Sequence, residues 1–181
     1  MSSLSDRRVY FLVLASLTAC TDAKDPASPR GKDPAATSPS FTVSTSTSTL
    51  LGRTTFSDPK DPNLIVRRAG GDWQLDIRAK PAMDIAVQNI VFNPGTQSGW
   101  HKHSGPVFIQ VVSGTITFYE SDDPTCTPII RTAGQGYLDQ GEHAHIARNE
   151  GVVPAQNIVT YFAPPGAPLR IDEPRPGNCP F

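Results

Sequence analysis

The sequence predicts an all-β sandwich or barrel, and three observations carry that expectation. Short runs rich in Val, Ile, Thr and aromatic residues recur along the chain, split by Pro-, Gly- and Asn-containing turn signals. No window longer than about ten residues shows the spacing of an amphipathic helix. No internal repeat has the period of a solenoid or propeller.

Taken in order, residues 1–20 read as an export signal. Arg7 and Arg8 give a positive start, Tyr10 to Ala19 an apolar run too short for a permanent membrane span, and Leu17-Thr-Ala-Cys20 closes it. That tetrapeptide resembles the lipobox of bacterial lipoproteins, which implies cleavage before Cys20 and lipidation of its sulfur. The alternative is an ordinary secretory signal and a soluble secreted product. Either way the expected location is outside the cytoplasm, as a periplasmic or cell-surface lipoprotein in the first case.

Residues 21–48, dominated by Ser, Thr, Pro, Asp and Ala, bury too little apolar surface to repay the entropy of ordering, so they read as a disordered tether. The Ser-Thr alternation from Ser44 to Thr49 also has strand propensity and could begin the first strand. Residues 49–181 are the expected folded domain. Strands are predicted at Leu50–Phe56, Trp73–Ala79, Ile85–Phe92, Val107–Val112, Thr115–Tyr119, Ile129–Ala133, Gly136–Leu138, His145–Asn149 and Gln156–Ala163. A chain of 181 residues with 38% hydrophobic content supports one core and little more. A formal charge of −1 selects no polyanion, so nucleic acid is not expected as a partner.

Of the three cysteines, Cys20 belongs to the signal, leaving Cys126 and Cys179. In an oxidising compartment these are expected to pair, which would clamp the Pro-rich C-terminal tail to the domain. The alternatives are two free thiols, or sulfur ligation of a metal.

The chain has four histidines, and they form two pairs of the same spacing, His101-Lys-His103 and His143-Ala-His145. In an extended segment residues two apart point to one side, so each pair presents two imidazoles together. Two such pairs beside turn glycines point to a divalent transition metal: zinc, iron, copper, nickel or manganese.

Both segments resemble the signature motifs of the cupin superfamily. Gly95, His101, His103 and Gly114 match the first motif, with Val107 where a glutamate is usual. His145 and Asn149 keep the H-x-x-x-N spacing of the second, with Gly134 or Gly136 as its leading glycine. Asp139 stands where proline is usual, and one extra residue separates Gly141 from His145.

The resemblance implies a double-stranded β-helix, the jelly-roll cupin barrel, with His101, His103 and His145 as metal ligands. His143 is either a fourth ligand or an acid or base nearer the mouth. With Val107 replacing the carboxylate, an all-imidazole site would leave the ion its full +2 charge and favour an anionic or enolate-like ligand. By alternation Val107, Ile109 and Val111 face the cavity, while Phe108, Gln110 and Val112 face away. The resemblance suggests a metal-dependent dioxygenase, isomerase or lyase acting on a small molecule, and often a homodimer. The other reading is a non-catalytic module holding a metal or small ligand, touching the membrane only through its lipid.

Overall fold

A computed structural model of the chain describes residues 46–57, 63–67, 71, 73–80 and 82–181. The expected signal, most of the tether and Cys20 lie outside the described residues. Among these there is no helix, and twelve strands form three antiparallel sheets. In chain order they are β1 (Thr47–Phe56), β2 (Asn63–Arg67), β3 (Gln74–Arg78), β4 (Met83–Phe92), β5 (His101–Lys102) and β6 (Val107–Ser113). The remainder are β7 (Thr115–Glu120), β8 (Ile129–Thr132), β9 (Gly136–Asp139), β10 (His145–Arg148), β11 (Ala155–Ala163) and β12 (Ile171–Asp172).

One five-stranded sheet has the order β1-β4-β11-β6-β9, the other β12-β5-β10-β7-β8, and β2 with β3 forms a separate hairpin. The two large sheets share one core and make a double-stranded β-helix barrel. Phe92, Val107, Ile109, Ile116, Phe118 and Val159, drawn from both sheets, pack into a single buried cluster. Period-two alternation explains which residues enter it. Along β11, Ala155, Asn157, Val159, Tyr161 and Ala163 are buried while their neighbours are not. Along β6, Val107, Ile109 and Val111 are buried and Phe108, Gln110 and Val112 are exposed, as alternation requires.

Within the second sheet, β10 is covered on both faces. In β10 all four residues are buried: His145 and Ala147 alternate with Ile146 and Arg148, and the latter two meet the C-terminal tail. There Trp100, Tyr119, Ile146 and Cys179 form a second cluster, with Phe181 packed against it. The Arg148 guanidinium lies over the Phe181 ring at 3.6 Å from its centroid, and Arg148 Nε approaches Glu150 to 3.3 Å. Cys126 and Cys179 are joined as a disulfide with a sequence separation of 53, so they are neither free thiols nor metal ligands.

Three strands escaped the sequence reading. The pairs at β5 and β12 are too short to show a period, and β2 is a five-residue run among prolines and charges. β1 begins at Thr47, upstream of the expected Leu50, because nine of its residues pair with β4 across a bulge at Leu50/Gly52.

The disulfide closes a long loop, which in the chain-entropy account stabilises by about 4 kcal/mol. Replacing Cys126 and Cys179 by alanine is expected to lower unfolding free energy by up to about that amount in urea titrations. It should also shift Trp100 fluorescence to the red as the tail loosens.

Candidate metal centre

Register brings the imidazoles together. His145 stands directly opposite His101 where β10 pairs with β5, and paired residues on one face hold their Cβ atoms about 5 Å apart. The His101 and His145 ring centroids are 4.5 Å apart, those of His101 and His103 4.8 Å, and those of His103 and His145 5.2 Å. All three residues are buried, and one ring nitrogen from each lies within 4.8 Å of the others. Donors sharing one ion at bonds of about 2.1 Å sit roughly 3–4 Å apart, so small ring movements would close the triad.

Backbone carbonyls set two of the rings. Nδ1 of His101 donates to Gly99 O at 2.9 Å, and Nδ1 of His103 donates to Leu169 O at 2.6 Å. Each ring therefore keeps the Nε2 lone pair for a ligand, the arrangement by which outer-shell hydrogen bonds prepare metal-binding histidines. Burial, aided by the neighbouring His145 and Arg170, pushes His101 down to about 2. Burial likewise takes His103 to about 4, against the hydrogen bond to Leu169 and with His145 nearby. Both rings are thus neutral at pH 7, the form that coordinates.

A carboxylate also reaches the site. Asp139 Oδ2 lies 2.8 Å from His145 Nδ1 and 3.5 Å from His103 Nε2, while Oδ1 accepts the Gly141 N–H at 2.7 Å. Burial raises the Asp139 carboxyl, but the His145 ring beside it, the Gly141 N–H and His103 together outweigh burial and hold it below the usual range. Asp139 Oδ2 and His145 Nδ1, both buried, have no hydrogen-bond partner of normal geometry. Three buried imidazoles, two of them oriented by backbone carbonyls, with a carboxylate beside them fit a divalent transition ion.

The triad forms one wall of a cavity of about 380 Å³. Ile90, Phe92, Ile109 and Val159 give it an apolar part, and Gln88, Ser98, Asn157 and Tyr161 add polar groups. Tyr161 donates its hydroxyl hydrogen to Gln88 at 2.8 Å. Arg170 also borders the cavity, but its charge is paired with Asp172 at 2.6 Å and its Nη2 donates to Ser98 O.

Of the four histidines singled out in the sequence, the structure brings together His101, His103 and His145. It does not bring His143, whose side chain is 58% exposed and 3.8 Å from the Asp122 carboxylate. The expectation for His143 assumed a regular strand, whereas β10 begins only at His145, and Gly141 before it has φ +88°. A Cβ at Gly141 would lie 2.6 Å from Gly105 O, so the turn needs glycine there, and residues 141–143 bend rather than extend, which leaves His143 off the alternation of β10. The expected all-imidazole electrostatics also need correction, because Asp139 supplies a negative charge beside the rings. Asp139 was visible only as a departure from a motif; its placement depends on the β6–β9 register, where it faces Val107. Asn149 acts in the fold: its amide nitrogen donates to Phe92 O and Val153 O, and its oxygen accepts from Gly151 N–H.

No family model and no curated protein matches the chain. Among solved structures it is similar to a double-stranded beta-helix domain protein of Klebsiella pneumoniae, at 21% identity over 50% of this chain and 76% of that one, with TM-score 0.42. A cupin domain from Bordetella pertussis matches at 14% identity over 68% and 98%, with TM-score 0.44. Oxalate decarboxylase of Bacillus subtilis, a protein with Mn(II) centres, matches at 17% identity over 49% of this chain and 23% of its own length, with TM-score 0.43.

The depressed histidines make metal-free stability depend on pH. Unfolded histidine takes a proton near 6.5, while folded His101 and His103 resist protonation to about 2 and about 4. Between those values the unfolded chain binds more protons, so stability is full above about pH 6.5 and is lost as pH falls. The melting temperature of chelator-treated protein should drop steadily from pH 7 to pH 4. The carboxylates held low, Asp84 and Asp139, add to the loss only below about pH 4.

Proposed function

We propose that the chain is an exported cupin that binds one divalent transition metal through His101, His103 and His145 and presents it to a small anionic or enolisable molecule in the barrel. The observation that carries this reading is the convergence of three buried imidazoles on one wall of a cavity with mixed apolar and polar lining. A bound ion would act as a Lewis acid, polarising a ligand oxygen or acidifying bound water. The protein's own part is to orient the rings through Gly99 O and Leu169 O, to exclude water with Ile90, Phe92 and Val159, and to offer the Tyr161 hydroxyl nearby.

Charge supports an anionic ligand. A divalent ion beside the Asp139 carboxylate leaves about one positive charge in a low-dielectric cavity, which a monoanion would neutralise. Export is supported by the positive start, the apolar run and the lipobox-like Leu17–Cys20, with the tether lending reach from a lipidated Cys20. The Cys126–Cys179 bridge is in keeping with an oxidising compartment.

Elemental analysis of protein purified without a histidine tag tests the proposal. Near-stoichiometric transition metal is expected, falling to background in the His101→Ala, His103→Ala double variant while circular dichroism stays that of a folded β protein. Folded wild type that takes up no zinc, manganese or iron on reconstitution would refute it. Oxygen uptake with small phenols and diketones then tests for dioxygenase turnover.

A further inference from the structure

Asp139 occupies an unusual position. It ends β9, is buried, and faces Val107 across the β6–β9 ladder, so both side chains enter the same interior layer. Its two oxygens divide their work. Oδ1 accepts the Gly141 N–H and so holds the turn leading towards β10; Oδ2 reaches past the turn to His145 Nδ1 at 2.8 Å and His103 Nε2 at 3.5 Å. Asp139 is outside the set of three mutually close ligand nitrogens, so it acts through an imidazole rather than as a fourth donor.

His145 needs such a partner. His101 and His103 each donate Nδ1–H to a backbone carbonyl, which fixes their tautomer, but His145 Nδ1 has no hydrogen bond of normal geometry and lies 2.8 Å from Asp139 Oδ2. A histidine whose Nδ1–H faces a carboxylate keeps Nε2 free and becomes a more basic ligand. Building on the three-histidine reading, we propose that Asp139 is the positioning residue of the metal site. It holds His145 as the Nδ1–H tautomer, aims its Nε2 into the triad, and places one negative charge beside the ion.

The Asp139→Asn variant separates this role from the turn. Asparagine retains an oxygen for the Gly141 N–H but turns a donor towards His145 Nδ1, replacing attraction by a clash of two N–H groups. The measurement is Zn²⁺ affinity by chelator competition, with the visible spectrum of the Co²⁺-loaded protein as a second readout. For Asp139→Asn that melts within a few degrees of wild type, Zn²⁺ binding is expected to weaken about 10- to 100-fold and the Co²⁺ bands to shift. Unchanged affinity and spectrum in folded Asp139→Asn would overturn the proposal and leave the three-histidine site standing. A wild type that binds no Zn²⁺ would overturn both.

If Asp139→Asn does not fold, long-range imidazole ¹⁵N–¹H spectra of wild type decide the matter. An Nδ1–H tautomer at His145 supports the proposal, and an Nε2–H tautomer refutes it.

Discussion

β10 meets β5 through one residue pair, His145 with His101, and everything chemical in the molecule hangs on that register. A shift of one residue would bring Ile146 inward and send His145 to the face covered by the tail. The pair is held from several sides. β10 is laddered along its whole length to β7, from His145 opposite Glu120 to Arg148 opposite Thr117. Beyond it, Ser98 Oγ accepts the Ala147 N–H and Asn149 ties the end of β10 to β4. Two-residue β5 could not set its own register by hydrophobic pattern, so its neighbours set it.

The C-terminal tail is part of the same constraint. Ile146 and Arg148 point away from the barrel and would face water were Phe181 and Cys179 not laid over them. Apolar burial between tail and sheet, the Arg148–Phe181 stacking and the disulfide therefore stabilise the outer side of the strand whose inner side carries His145. Packing on one face and ligand placement on the other are joined by four residues of backbone.

Much of this was legible in the sequence because it rests on period two. The alternation of β6, the shared face of His101 and His103, and the pairing of the two remaining cysteines need only local spacing and composition. What escaped depends on register between distant strands. Asp139 looks like an ordinary strand-end aspartate until β9 is laid beside β6, and only then does its carboxylate meet two histidines. His143 lies off the site for the converse reason: alternation was extrapolated back from His145 into residues 141–143, which bend instead of extending. Neither the two-residue β5 nor β12 has enough length to carry a pattern.

The electrostatic balance follows from where the charges sit. Burial keeps His101 and His103 neutral, so the metal-free wall carries mainly the charge of Asp139. An isolated buried carboxylate is costly, and here the Gly141 N–H and the His145 Nδ1 edge offset part of that cost without cancelling the charge. That charge beside three converging imidazoles favours a cation before any ligand arrives. Arg170, the one cation bordering the cavity among the described residues, is paired with Asp172 and hydrogen-bonded to Ser98 O, yet its charge still reaches His101 and His103 and weakens that preference. Loading a divalent ion would reverse the sign of the wall, so a cavity that first selects a cation would then select an anion.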